Sequence, residues 1–200
     1  MTVGGIVLAA GASRRMGVPK AVLRVGDRTF LDALGEALRS GGCDPVLAVV
    51  AEPTEAIRKE CRLAGIVLVV NPEPSRGQIS SLRCGLEELG RVDGVVVLLV
   101  DQGSILPSTV RAVQAALSCA WVAVARYRTR TGHPVGFARE VFPELFCGEV
   151  ADGGADAVVA AYRRTGRLAE VDVEDPGVIR NLNTPEEYKA FQDHGASTGI

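Results

Sequence analysis

The chain is short of the residues from which metal centres, disulfide frameworks and nucleic-acid surfaces are built. Only two histidines, His133 and His194, stand among 200 residues, too few for a histidine-rich metal centre. The five cysteines, Cys43, Cys61, Cys84, Cys119 and Cys147, are scattered, odd in number and form no C-x-x-C pair. Neither a disulfide framework nor a structural zinc site is expected, and buried reduced thiols are the plain reading. Basic charge is not in excess: 22 Lys and Arg against 24 Asp and Glu leave a net charge of −2, so no bulk attraction to nucleic acid or an anionic membrane is expected. Any anion site must be local. Long hydrophobic runs are missing too. "VVVLLV" (95–100) and "CAWVAVA" (119–125) fall far below the roughly 18 residues of a membrane span and read as buried strands. The opening "GGIVLAAG" carries no basic segment and no long apolar stretch of a secretory signal, so a cytoplasmic location is expected.

What is present is an alternation of short apolar runs with longer amphipathic segments, the pattern of parallel strands joined by crossover helices. It predicts strands over 5–9, 46–50, 66–70, 95–100 and 121–125 and helices over 29–40, 54–64, 79–89 and 107–117. Pro107 with Ser108 and Thr109 suits a helix start, while Gly41-Gly42 and Gly65 suit helix ends. Beyond 125 come a basic loop "RYRTRTGHP", a short strand "VGFA", helical stretches around 140–146 and 155–163, a strand "AEVDV" and a last helix with Thr184 as N-cap and Pro185 at N1. The expectation is one α/β domain over 1–193, doubly wound around a mostly parallel sheet, with a flexible tail over 194–200.

In such a sheet ligands gather beyond the carboxyl ends of the strands, where "GASRRMGVPK" follows the first strand. Gly11 and Gly17 let backbone amides turn toward phosphate oxygens, and Arg14, Arg15 and Lys20 bring positive charge. The spacing fits neither the P-loop nor G-x-G-x-x-G. Composition alone leaves two readings, a phosphate-binding loop or a turn with solvated arginines.

"LAAGASRRMGVPK" (8–20) resembles the signature loop of the molybdenum cofactor guanylyl- and cytidylyltransferase family. Four further blocks follow in family order across nearly the whole chain: "NPEPSRGQISSLRCGL" (71–86), "LLVDQG" (98–103), "TGHPVGF" (131–137) and "NLNTPEEY" (181–188). The resemblance implies the Rossmann-like fold of nucleotide-diphospho-sugar transferases with one antiparallel strand, Mg²⁺ dependence, and transfer of a nucleoside monophosphate with release of pyrophosphate. Within it, Lys20 and Arg15 would neutralise triphosphate charge and Asp101, at the end of an apolar strand, would hold the metal. Leu8, Ala9, Ala10, Gly11 and Ala12 with Lys20 would cradle the nucleotide, and Gly77, Ser80 and Ser81 would meet base and ribose. Ser80 also suits a plain N-cap. His133 could face a phosphate or fix a strand start, the latter preferred, and Arg126, Arg128 and Arg130 either attract an acceptor phosphate or are simply solvated.

Departures from the family pattern are Gly103 for the usual proline, which would loosen that loop, Asp156 for a common arginine, and Asn181 and Asn183 where many cytidylyltransferase-like members carry aspartates that can contribute to metal binding; the neutral amide oxygens could still meet Mg²⁺ or its waters, less strongly than carboxylates. The LAAG form of the loop favours CTP over GTP, with molybdopterin as acceptor and a molybdoenzyme as possible recipient. GTP, a sugar-phosphate-type acceptor, or a non-catalytic nucleotide-binding delivery role are the alternatives. No nucleic acid or membrane partner is expected.

Overall fold

The uninterrupted apolar runs become parallel neighbours because a strand covered by helices on both sheet faces has no polar face to show. The computed structural model describes residues 1–11, 13, 15–147 and 154–198, the last five by backbone alone. Ala12 and Arg14, and the "ADG" at the head of the Asp156 segment, therefore lie outside the described residues. In chain order the elements are β1 (Val3–Leu8), a small ribbon of β2 (Arg24–Val25) and β3 (Arg28–Thr29), α1 (Phe30–Ser40), β4 (Val46–Val50), α2 (Glu55–Glu60) and β5 (Val67–Val70). There follow α3 (Gln78–Leu89), β6 (Gly94–Leu99), α4 (Pro107–Ala116), β7 (Val122–Tyr127), β8 (Arg130–Ala138), α5 (Phe142–Phe146), α6 (Gly154–Arg163), β9 (Leu168–Asp172) and α7 (Pro185–Thr198). The last helix thus runs into the stretch expected to be a tail.

Seven strands form one sheet in the order β5-β4-β1-β6-β8-β7-β9. Only β8 is antiparallel to its neighbours. β1 pairs with β4 on one side and β6 on the other, so chain order reverses there, and Leu8 lies opposite Leu99 at their carboxyl ends. That crevice is the switch point at which doubly wound sheets bind ligands. Alternate residues feed two cores: Val7 and Val96 face Leu34, Leu38 and Val110 of α1 and α4. Ile6 and Val97 face Leu82, Leu145 and Val158 of α3, α5 and α6.

Two expectations change. The basic stretch predicted as a loop is the tip of the β7–β8 hairpin: Arg126 lies opposite Thr131 and Tyr127 opposite Arg130, joined through Arg128 at φ 56°. Its alternating polar residues hid a period-two strand. The second helix stops at Glu60 rather than 64, because the next residues are captured by a carboxylate on α1. The amides of Arg62 and Leu63 donate to Asp32 Oδ2 and Oδ1 at 3.0 and 2.9 Å, which turns the chain out of helical register.

Candidate functional site

At the switch point the loops open a cavity of about 590 Å³. Leu8, Ala10, Gly11, Ser13, Arg15 and Lys20 line one wall, Pro74, Gly77, Gln78 and Ser81 a second, and Leu99, Val100 and Asp101 the floor, with Asn183 at the far side. The glycine loop closes on itself through Ser13. Its hydroxyl donates to the Gly11 carbonyl at 3.3 Å and accepts the Lys20 amide at 3.2 Å, which carries the lysine back over the strand end. Ala9 does not line the cavity. Its amide continues the sheet by donating to the Val49 carbonyl at 2.8 Å, so it is spent in the ladder.

Lys20 and Asp101, 81 positions apart in the chain, meet here. Lys20 Nζ lies 3.5 Å from Asp101 Oδ2, with side-chain exposures of 13% and 24%. The same ammonium donates to Asn183 Oδ1 at 2.7 Å. The turn bearing Asp101 is held by the buried Gln102. Its Nε2 donates to the carbonyls of His133 and Gly177 at 3.0 and 3.3 Å, and its Oε1 accepts the Leu99 amide at 3.1 Å. Gly103 takes φ 75° in this turn, which a proline ring cannot reach. Among the described residues Asp101 Oδ1 is buried without a hydrogen-bond partner. A shielded anionic oxygen on a residue that lines the cavity suits a hard cation. Among the described residues no group of three or more His, Cys, Asp or Glu could hold a metal by itself. One carboxylate completed by ligand phosphates and water is how Mg²⁺ is commonly held, so the donor set fits such an ion.

The opposite wall is organised by Asn71, 2% exposed. Its Nδ2 donates to Ser80 Oγ at 2.8 Å and Ser81 Oγ at 2.9 Å, and its Oδ1 accepts the Glu73 amide at 2.9 Å. Ser80 is thereby used up: its hydroxyl donates back to the carbonyl of Gly77 at 2.7 Å and it does not line the cavity. Nor is it the N-cap, because α3 starts at Gln78 with Gly77 as cap and no side chain covering its first amides. Gly77, Gln78 and Ser81 of this helix start line the cavity, and a helix N-terminus suits an anion or a base edge. Sequence reasoning missed Ser13, Pro74 and Gln78; Gln78 sits inside the quoted "GQISS" block but was passed over for the serines. Asn71 opens the same block and acts from behind the wall.

Further along the same sheet edge, Arg126 does not reach toward a ligand. It makes paired bonds to Asp172 at 2.6 and 2.8 Å and a third to Glu170 at 2.8 Å, while Arg163 also pairs with Glu170. Donating to the Asp172 carboxylate raises the Arg126 pKa, and the same bonds lower that of Asp172. Arg128 stacks over Tyr127 at 5.1 Å at the hairpin tip. Burial pushes His133 down to about 4, so it is neutral and supports the structural role through its carbonyl. With Asp156 it borders a narrow crevice that shares Leu8 and Gln78 with the main cavity and is otherwise lined by Ile79, Leu82, Val97, Val135, Phe137, Ala155 and Val159. No helix among the described residues is long and apolar enough to cross a membrane.

A family model described as a MobA-like NTP transferase domain matches residues 5–168. The purine catabolism protein PucB of Bacillus subtilis is 30% identical over 92% of this chain and 93% of its own length. Nicotine blue oxidoreductase of Paenarthrobacter nicotinovorans is 28% identical over 92% and 94%. A probable molybdenum cofactor guanylyltransferase of Synechococcus elongatus is 24% identical over 96% and 99%. Among solved structures, Rv0371c of Mycobacterium tuberculosis in complex with manganese superposes with a TM-score of 0.78 at 28% identity, covering 96% of this chain and 99% of that one.

Proposed function

The chain belongs to the MobA-like NTP transferase family, and from that premise we propose that it is a Mg²⁺-dependent nucleotidyltransferase that moves a nucleoside monophosphate, from CTP in preference to GTP, onto a phosphate-bearing acceptor of the molybdopterin type. The observation that carries the reading is the meeting of Lys20 with Asp101 at the switch point, Asp101 keeping one buried oxygen without a partner among the described residues. In the reaction an ionised phosphate oxygen of the acceptor forms a bond to the α-phosphorus, and the bond from that phosphorus to the bridging oxygen breaks. Pyrophosphate leaves with the electron pair. Such an acceptor needs little general base, so positioning and charge neutralisation supply most of the acceleration, which suits a cavity lined by no histidine among the described residues.

When bound, a divalent cation supplies neutralisation of triphosphate charge, and Asp101 is the residue that would hold it. Lys20 and the exposed Arg15 add positive charge from the loop side. The loop backbone around Gly11 and the N-terminal turn of α3, which no side chain caps, orient the phosphates and the base edge. Ala12 is included in that cradle by the family resemblance. Asp156 at the crevice rim takes a place where an arginine would greet an anion, so the acceptor phosphate is met from the Lys20 side rather than from α6. The relative that carries a manganese complex supports a divalent cation in this family.

The test is pyrophosphate release by folded protein given Mg²⁺, each triphosphate in turn and molybdopterin. CTP-dependent release is expected. Silence with every triphosphate and several phosphate-bearing acceptors overturns the reading, and oxidation or reduction of nicotine blue would instead match the oxidoreductase named for one relative.

A further inference from the structure

The chemistry above leaves one close contact unused, that between Asn183 and Lys20. An ammonium beside a carboxylate draws in to about 2.7–2.9 Å when nothing competes for it. Lys20 Nζ instead stops 3.5 Å from Asp101 Oδ2 and gives its short bond, 2.7 Å, to the uncharged amide oxygen of Asn183. Asn183 is held firmly enough to do this. Its own amide donates to Glu187 Oε2 at 2.6 Å, the Thr184 amide donates to the same oxygen at 3.1 Å, and Thr184 Oγ1 accepts the Glu187 amide at 3.3 Å. This is a capping box at the start of α7. On the other side the Leu182 amide donates to the Asp101 carbonyl at 2.8 Å, so the segment is tied both to the helix and to the turn that carries the carboxylate.

We propose that Asn183 is a positioning residue: it holds Lys20 off Asp101 and so keeps the carboxylate available to a divalent cation. The inference rests on the reading of Asp101 as the metal-holding residue. The neutrality of the side chain is part of the device. Its oxygen engages the lysine without adding a second negative charge, and in that bond it serves the ammonium rather than a cation. Without it, Lys20 closes on Asp101 as an ion pair, and a cation must displace the ammonium to bind.

The test reads metal binding with no nucleotide and no turnover. Mn²⁺ is titrated into the full chain and the free ion followed by electron paramagnetic resonance, for wild type, Asn183→Ala, Lys20→Met and the double variant, with circular dichroism and a thermal melt on each. Asn183→Ala is expected to weaken Mn²⁺ binding by roughly tenfold, the lower end for a group that orients a site from outside the ligand set. Lys20→Met is expected to bind at least as tightly as wild type, and the double variant like Lys20→Met, because without the ammonium there is nothing to hold back. Asn183→Ser takes the place of the alanine variant if that one melts early. Unchanged affinity in Asn183→Ala overturns the inference. An equal loss with and without Lys20 also overturns it and makes Asn183 a ligand. Wild type that fails to bind Mn²⁺ removes the metal role of Asp101 and the inference together, whereas pyrophosphate release tests the proposed activity separately.

Discussion

Two clusters of opposite charge sit on the same edge of the sheet and are built in contrary ways. Beyond β7 and β9, Arg126 is clamped by three short bonds to Asp172 and Glu170, and Arg163 shares the second acid. Every charge there is answered by the protein. Beyond β1 and β6, Lys20 and Asp101 stand 3.5 Å apart, the lysine is bonded to a neutral amide, and one carboxylate oxygen is buried with no answer among the described residues. Both clusters draw on basic motifs that look alike in the sequence. The difference teaches that a charged side chain is available for chemistry only where its neighbours leave it incompletely satisfied, and that the cost of this is carried by the surrounding fold.

The comparison breaks most directly at Asp101. Asp101→Asn keeps the shape and removes the charge, and pyrophosphate release is expected to fall by about 10²–10³-fold with the melt unchanged; retained activity would remove Asp101 from the metal role. Next is a change between the clusters. A Cβ at Gly132, on β8, would stand 2.0 Å from the Val178 carbonyl, whose backbone cannot yield as a flexible side-chain tip could. Gly132→Ala should cost about 2 kcal/mol or more, lowering Tm by roughly 4–8 °C in a thermal melt.

Ala10 sharpens the nucleotide side of the comparison. Replacing it by glycine in the cavity wall should shift the ratio of CTP to GTP turnover toward GTP by about tenfold, the usual range for one methyl group in a pocket, and an unchanged ratio counts against the assignment of the base.

His133, between the clusters, provides a pH signature. Its folded pKa is about 4 against 6.5 in the unfolded chain. The unfolded state therefore binds the extra proton first, and the stability contribution present above pH 6.5 is lost as pH falls toward 4. His133→Asn should flatten Tm against pH across that window. The smallest effect is expected at Arg126. Arg126→Ala should leave pyrophosphate release within about twofold, since the group is spent on exposed surface pairs. Asp172, whose pKa those bonds depress, contributes stability above the ordinary carboxylate range that is lost as pH falls through its folded value. Removing Arg126 should soften that acid limb of the melt, and a large loss of turnover would show that the satisfied cluster is functional after all.

Much of the architecture can be read along the chain because its causes are local. Runs such as "VLAVV" and "GVVVLL" are apolar at every position, which only a strand buried on both faces explains, and Thr29 and Pro107 mark helix starts by capping chemistry. The glycine loop, Lys20 and Asp101 were legible for a related reason: strand ends in a doubly wound sheet are where ligands collect, and those residues follow strands. What distance in the chain conceals is who answers whom. Whether α2 ran to 64 depended on Asp32 reaching 30 and 31 residues ahead, and whether Arg126 was free depended on acids 44 and 46 residues later. A start of α3 at Gln78 sent Ser80 back to the Gly77 carbonyl and left Ser81 at the cavity. Local pattern thus decided which segments are strands and helices and which loop faces ligand. Only the tertiary structure decided that Asn183, 163 residues from Lys20, takes the lysine's bond and leaves Asp101 open, because satisfaction of a charge is a property of everything packed around it.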